Sequence, residues 1–116
     1  MLADAERFDG MAITTCPAGI QNASILSAQT ADKLITIEGI EASYVLYTLS
    51  DGGIGVSARS QGAMNIQLVM EALGGGGHRT VAGAQLYDMT MEEAVEAVKS
   101  VAKGQLASMK KEEKAE

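Results

Sequence analysis

The stretch IGVSARSQGAMNIQLVMEALGGGGHRTVAGAQL, residues 54–86, decides the fold, because it places a strand, a capped helix, four glycines and a second strand in direct succession. The first strand alternates an apolar face with a face that carries Gly55, Ser57 and Arg59. Asn65 is a good cap for the helix, in which apolar residues recur at helical spacing. The stretch therefore predicts a strand–helix–strand unit, and one face of its first strand is small, polar and then cationic.

The glycine run, residues 74–77, precedes His78, the only histidine of the chain. Consecutive glycines are tolerated where the backbone needs positive φ or comes very close to another group. A flexible linker would have polar flanks, whereas a capped helix and an apolar strand flank this run. We therefore expect a cradle, in which the N–H groups of Gly75, Gly76 and Gly77 and the imidazole of His78 face one anion. A lone histidine is more often structural, so on the residues alone both roles of His78 stay open.

Arg59 stands at the end of its strand, with Ser57 and Ser60 beside it. Its planar guanidinium can bind phosphate through two hydrogen bonds, but an ordinary strand-end arginine in solvent explains the same pattern. Asn65 is explained by its role as a cap, although an amide at a helix start can also meet an anion. One histidine with scattered carboxylates does not make a metal site. The residues thus leave binding of a small phosphorylated ligand open, and they predict no metal ligand in this chain.

The segment before this stretch predicts a strand and a helix. Residues 11–16 are rich in β-branched side chains and end at a proline–glycine turn, as a short strand does. Asn22 is predicted to cap the helix that follows, over residues 23–35. The expected buried stripe of this helix consists of residues close to one face: Ile25, Ala28, Ala31, Leu34 and Ile35.

Residues 41–50 and 53–60 are predicted to be antiparallel neighbours, because Asp51 and Gly52 between them form a strong hairpin signal. Both alternating sets of side chains in the first of these strands are largely apolar. Such a strand is covered on both faces, so helices should pack on both sides of the sheet. The predicted fold class is α/β, a mixed β-sheet with helices on both faces in a single compact domain.

The end of the chain predicts one further strand, over residues 81–88, and a last helix. Thr90 and Glu93 form a capping box that opens this helix. We expect the domain to span residues 1–108, and the charged residues 109–116 to be a solvated helix end.

Composition narrows the class of partner. The net charge of −6 and the pI near 4.7 repel a long polyanion, and 3% aromatic residues offer few platforms for base stacking. Cys16 is alone, which indicates a small core residue in a reducing, cytoplasmic setting rather than a disulfide framework. No apolar run reaches the length of a membrane span, so we expect no membrane contact by this chain. A long nucleic acid is therefore disfavoured as a partner, and a small phosphorylated ligand stays possible.

The segments ASILSAQTADKLITIEGIEASYVL and IGVSARSQGAMNIQLVMEALGGGGHRTVAGAQL together resemble the C-terminal, DHH-associated domain of the DHH phosphoesterases. The similarity is greatest to the cyclic-di-AMP phosphodiesterases of the GdpP type and covers nearly the whole chain. The resemblance implies a two-lobed enzyme in which an N-terminal DHH lobe holds two manganese ions and the C-terminal lobe closes over the substrate. The chain resembles the second lobe alone, since it contains no Asp-His-His motif.

Two groups of residues match this family's binding segments. The resemblance implies that Ser57, Arg59 and Ser60 belong to the strand-end substrate-binding segment. It likewise implies that the glycine-rich phosphate and nucleotide loop consists of Gly75, Gly76, Gly77 and His78. Within the cyclic-di-AMP branch, asparagine and alanine often follow this histidine, whereas residues 79–81 of this chain read Arg-Thr-Val. That departure bears on the choice of base or substrate more than on the fold.

The resemblance implies hydrolysis of a phosphodiester, with manganese in the missing DHH lobe and no activity from this chain alone. The implied partners are a cyclic dinucleotide or short oligonucleotide and a preceding DHH domain of the same polypeptide. A homodimer and a membrane anchor in the longer parent protein stay open. Two other functions also stay open: a lobe of an oligoribonuclease or single-strand nuclease of the same superfamily, and a non-catalytic interaction module.

Overall fold

One six-stranded mixed sheet, with strand order β1-β2-β3-β4-β6-β5, carries three helices in a computed structural model of the chain. The structure describes the backbone of residues 1 and 4–115 and the side chains of residues 1 and 4–111. The strands are β1 Glu6–Phe8, β2 Met11–Thr15, β3 Ala42–Thr48, β4 Ile54–Ser60, β5 Gly76–Gly77 and β6 Val81–Leu86. The helices are α1 Ala23–Leu34, α2 Ile66–Ala72 and α3 Met91–Ala115. The predicted α/β class is confirmed.

The central strands pair as the hairpin signal predicted. β3 and β4 are antiparallel, with Val45 opposite Ser57, and Gly52 adopts the positive φ of 89° that the tight turn requires. β2 and β3 are the parallel pair, and α1 is the crossover that joins them. β4 also pairs with β6, which places residues 81–86 on the other side of the hairpin.

Helices cover both faces of the sheet, as expected. α1 packs on one face, where Ala12, Ala31, Leu34 and Val45 form a small core. α2 and α3 pack on the other face over a larger core. Its fully buried side chains include Tyr44, Leu46, Ile66, Val69, Met70 and Val98. Cys16 is buried, as predicted.

The predicted start and buried stripe of α1 need correction. Asn22 precedes the helix but lies in the left-handed region at φ 57°, and its side chain makes no capping hydrogen bond. Ile25 is 59% exposed, whereas Ser27, Thr30, Ala31 and Leu34 face the sheet. The helix presents this small, partly polar face because it lies close to β3 and β4, where Ser43 Oγ donates to the Ala31 carbonyl at 2.7 Å. Ala31 and Leu34 of the predicted stripe are therefore confirmed as buried, whereas the prediction for Ile25 was wrong.

The caps of the other helices are confirmed. The side chain of Asn65 accepts from the N–H of Gln67 at 3.2 Å, and Gly74 ends α2 at φ 87°. At the start of α3, the Glu93 carboxylate accepts from the Thr90 N–H at 2.9 Å, and the Thr90 hydroxyl accepts from the Glu93 N–H at 3.1 Å.

The helix α3 continues past the expected domain end at residue 108, and its backbone is helical to Ala115. The side chains of residues 112–116 lie outside the described residues, so the solvated tail stays a prediction. No helix within the described ranges is long and apolar enough to cross a membrane.

Candidate phosphate and nucleotide site

The strand register brings the two predicted anion-binding residues, Arg59 and His78, to one end of the sheet. Arg59 of β4 pairs with Val81 of β6, and the His78 N–H donates to the Val81 carbonyl at 2.7 Å. His78 therefore lies two strand spacings from Arg59, about 10 Å across the sheet. His78 is exposed, and Arg59 points to the face that α1 covers only in part. The sequence placed these residues 19 positions apart, and the fold makes them neighbours.

Arg59 is held by two hydrogen bonds. Its Nε donates to Oδ1 of Asp32 at 2.8 Å, and its Nη1 donates to the Ala58 carbonyl at 2.9 Å. The Arg59 side chain is 15% exposed, and that of Asp32 is 61% exposed. Because Asp32 takes the Nε–H and Ala58 takes one N–H of Nη1, these two bonds leave three of the five guanidinium N–H groups in a fixed orientation.

The two predicted serines lie in different surroundings. Ser57 pairs with Gly83 and lies in the middle of the sheet face, 8% exposed. The Ser60 hydroxyl donates to the Arg79 carbonyl at 3.3 Å and accepts from the Gly62 N–H at 3.2 Å. Ser60 thus joins the loop after β4 to the loop before β6. Its contact with a substrate stays a prediction.

The N–H groups of the glycine run are largely used within the fold. Gly74 donates to the Glu71 carbonyl at 3.0 Å, and Gly75 donates to the Met70 carbonyl at 2.8 Å. Gly76 faces Gly83 in the antiparallel ladder of β5 and β6. Hydrogen-bonded and non-hydrogen-bonded pairs alternate in such a ladder, so Gly77 directs its N–H away from β6. Of the three glycine N–H groups expected to face an anion, the geometry leaves that of Gly77, beside His78, as the one that faces outward.

Close backbone approach explains two glycines of this run, Gly75 and Gly77. A Cβ atom on Gly77 would lie 2.5 Å from the Cα of Ala82, and the φ of Gly77 is 140°. A Cβ on Gly75 would lie 2.7 Å from the Cα of Ala84. The run is therefore an edge strand pressed against β6. The strand β5 was not predicted, since two glycines carry no strand pattern.

A groove of about 670 Å³ opens beside the glycine run, and no sequence pattern predicted it. Tyr47 and Tyr87 line the groove. Each ring lies over a glycine of the β3–β4 hairpin, where a Cβ atom would collide with the ring. Between them the floor is formed by β4, β6 and the glycines: Val56, Ser57, Gly74, Gly75, Gly76, Ala82, Gly83, Ala84 and Gln85. Neither Arg59 nor His78 lines the groove itself.

The remaining predicted residue, Asn65, is bound as the cap of α2, and its contact with an anion stays a prediction. Arg79 donates from Nε to the Gly62 carbonyl at 2.7 Å, so its side chain closes the loop around Ser60. Within the described residues, no three histidine, cysteine or acidic side chains lie close enough to hold a metal ion. Binding of a phosphorylated ligand at Arg59 and His78 stays a prediction.

Residues 11–107 match the DHHA1 domain. The chain is 49% identical over 85 residues to the cyclic-di-AMP phosphodiesterase GdpP of Geobacillus thermodenitrificans, which covers 73% of this chain. It is 46% identical over 86 residues to the cyclic-di-AMP phosphodiesterase PdeA of Listeria monocytogenes, which covers 74%. In both alignments the matched part is only 13% of the relative's own length.

Solved structures share the fold at lower identity. An exopolyphosphatase-related protein from Bacteroides fragilis superposes with a TM-score of 0.79 at 21% identity, over 94% of this chain and 34% of that one. A pGpG-specific phosphodiesterase from Vibrio superposes with a TM-score of 0.59 at 16% identity, over 89% of this chain and 35% of that one. At these identities the structures support the architecture alone.

Proposed function

The chain belongs to the DHHA1 domain family, and from this premise we propose that it is the substrate-binding lobe of a cyclic-di-AMP phosphodiesterase. Relatives at 46–49% identity carry that activity in their names, and the matched part is a small fraction of each. The observation that carries the proposal is the strand register, which places Arg59 opposite Val81 while His78 hydrogen-bonds the same Val81. The backbones of Arg59 and His78 thereby lie about 10 Å apart at one end of the sheet.

The chemistry of these groups suits a phosphodiester anion. The guanidinium N–H groups of Arg59 that Asp32 leaves free can donate to a phosphate oxygen. His78 and the outward N–H of Gly77 can donate from the other side. Binding at three donors fixes the position of one phosphate and thereby orients the second phosphate of a cyclic dinucleotide. This chain's residues bind and orient the substrate, and they do not activate water.

Hydrolysis is proposed to take place in a separate DHH lobe. A water oxygen would bond to phosphorus, the P–O bond to the leaving ribose oxygen would break, and that oxygen would take up the proton. Manganese in that lobe would supply the Lewis-acid chemistry of the step. We accordingly expect no hydrolysis of cyclic-di-AMP by this chain alone with added manganese, and turnover that follows the protein through purification would contradict this division of roles.

Binding of cyclic-di-AMP to the chain tests the proposal. We expect Arg59→Ala and His78→Ala each to weaken binding about tenfold or more, because a charge-assisted hydrogen bond is worth about 1.5–3 kcal/mol. The control is Arg7→Ala, since Arg7 lies in the edge strand β1, three strand spacings or about 14 Å from Arg59, and its Nη2 donates to the Glu38 carbonyl. Amide NMR titration suits the weak affinity of a single lobe.

The outcomes separate the proposal from a structural role of His78. Loss of affinity in both variants, with unchanged circular dichroism and with Arg7→Ala equal to the wild type, supports substrate binding. If the amide signals of residues 76–79 do not shift with cyclic-di-AMP up to millimolar concentration, the proposal is wrong. It is also wrong if Arg7→Ala weakens binding as much as Arg59→Ala does.

A further inference from the structure

The groove beside the glycine run is joined to the anion-binding end of the sheet by the strand register. Residues paired across antiparallel strands project from the same face. One row contains Arg59 and Val81, the next contains Ser57 and Gly83, and the third contains Gly55 and Gln85. Adjacent rows are two residues apart, so Gln85 lies about 13 Å from the Arg59 row along the strands. A ligand that extends from Arg59 along this face therefore enters the groove and ends at Gln85.

The row of Gly55 and Gln85 extends across the sheet to Tyr47 of β3. Tyr47 pairs with Gly55, which in turn pairs with Gln85, so the three residues form one line across β3, β4 and β6. Gly55 has no side chain, and the Tyr47 ring fills the space above it. The line therefore places a flat aromatic wall beside a side-chain amide, and both line the groove.

Tyr87 also lines the groove, next to the side chain of Gln85. Its hydroxyl lies 3.0 Å from Oδ2 of Asp51 and 3.4 Å from Oε1 of Gln85. The hydrogen bond to Asp51 raises the pKa of the Tyr87 hydroxyl, which keeps the hydroxyl a donor. The Tyr87 ring lies over Gly53, where a Cβ atom would collide with it. Gln85 is exposed, and it lines the groove together with Tyr47 and Tyr87.

We propose that this groove binds one base of the dinucleotide, with the base against Tyr47 and Tyr87 and its edge on the amide of Gln85. An amide offers one acceptor and one donor side by side, which matches N6 and N7 of adenine. Guanine presents two acceptors, O6 and N7, at the same positions, so the amide oxygen would meet an acceptor. Gln85 is therefore a specificity-determining residue for adenine. This inference rests on the proposed function, because the phosphate end of the ligand is taken to lie at Arg59 and His78.

The test compares two dinucleotides on the same chain. Cyclic-di-AMP and cyclic-di-GMP are titrated into the wild type and into Gln85→Leu, with binding followed by amide NMR. We expect the wild type to prefer cyclic-di-AMP, and Gln85→Leu to lose about tenfold in affinity for cyclic-di-AMP while its affinity for cyclic-di-GMP changes little. The matched control is Gln29→Leu, which makes the same change on an exposed position of α1.

A second measurement locates the ligand within the site. Inorganic phosphate is expected to shift the amides of Gly77 and His78, whereas adenosine monophosphate should shift those of Gly83 and Gln85 as well. Because Gln85 is exposed, its replacement should leave the fold intact, and circular dichroism verifies this.

Two negative outcomes have different meanings. If cyclic-di-AMP binds but Gln85→Leu keeps the wild-type preference, the base site is wrong and the proposed function stands. If neither dinucleotide shifts any amide, the proposed function fails and the base site fails with it.

Discussion

The Nε atom of Arg59 donates to Oδ1 of Asp32 at 2.8 Å, and this ion pair joins the end of β4 to the last turn of α1. The carboxylate is 61% exposed, so water and salt screen the pair, and it contributes at most about 1 kcal/mol to stability. Its larger effect falls on a bound anion. Asp32 orients the guanidinium, and it also places a negative charge beside the proposed phosphate position.

Asp32→Asn separates these two effects. The asparagine oxygen can still accept from Arg59 Nε, while the negative charge is removed. We expect affinity for cyclic-di-AMP to rise about twofold to fivefold at low ionic strength, because a nearby repulsive charge is lost. At 1 M salt the gain should shrink, since the Debye length falls to about 3 Å. Equal affinity of variant and wild type at low salt would show that no anion binds beside Arg59.

The glycine run offers a test within two adjacent positions. Gly77→Ala places a Cβ 2.5 Å from the Ala82 Cα at a φ of 140°, so we expect a loss of about 2 kcal/mol or more in the free energy of unfolding. Gly76→Ala is the matched control, since a Cβ there has no atom within 4 Å. We expect it to change stability by less than about 1 kcal/mol. Urea unfolding measures both. If both variants lose the same stability, close approach to β6 does not explain the run.

The strands that carry a clear local signal were predictable from sequence, and the edge strands were not. The hairpin through Asp51 and Gly52 was identified because apolar alternation flanks it. Asp9 and Gly10 form an equally tight turn, with φ of 49° and 78°, but the three-residue strand before them is too short to show alternation. Likewise, β5 is a strand only because β6 lies beside it, and no property of two glycines predicts that pairing.

In the candidate site, too, the sequence predicts single residues but not the long-range pairing that places them. Arg59 and His78 were identified by their chemistry, and the register that brings them together follows from long-range pairing. The expected cradle of glycine N–H groups stays a prediction, and the Gly75 N–H already donates to the Met70 carbonyl. Gln85 looked like an ordinary polar position on a strand. Only the line from Tyr47 through Gly55 shows that it faces a groove.

Ser27 of α1 and Ser43 of β3 are both buried, and loss of the hydroxyl is expected to change the free energy of unfolding in opposite directions at the two positions. Ser27 Oγ is buried without a hydrogen-bond partner in the described part of the chain, so Ser27→Ala removes an unpaired polar atom and should raise the free energy of unfolding by about 1 kcal/mol. Ser43 Oγ donates to the Ala31 carbonyl at 2.7 Å, so Ser43→Ala should lower it by about 1 kcal/mol. Denaturant unfolding at neutral pH compares them. Destabilisation of both variants by the same amount would mean that Ser27 has a polar partner, such as a buried water.

The last prediction concerns Tyr44, which is fully buried in the larger core with its hydroxyl donating to Met11 Sδ at 3.4 Å. Burial raises the pKa of this phenol well above its ordinary value of 10.0, because the phenolate would lose its hydration.

Tyr44 ionises near pH 10 in the unfolded chain, whereas in the folded chain it stays protonated to higher pH. The contribution of the neutral Tyr44 to the free energy of unfolding is therefore complete below pH 10 and is lost as the pH rises above 10. At pH 11 the wild type should therefore lose about 1 kcal/mol that Tyr44→Phe keeps, whereas at pH 7 the two should differ only by the weak O–H···S contact. Urea unfolding at both pH values measures the difference, and the other tyrosines cancel because both proteins carry them. A stability difference between variant and wild type that is the same at pH 7 and pH 11 would mean that the folded protein ionises Tyr44 as readily as the unfolded chain does.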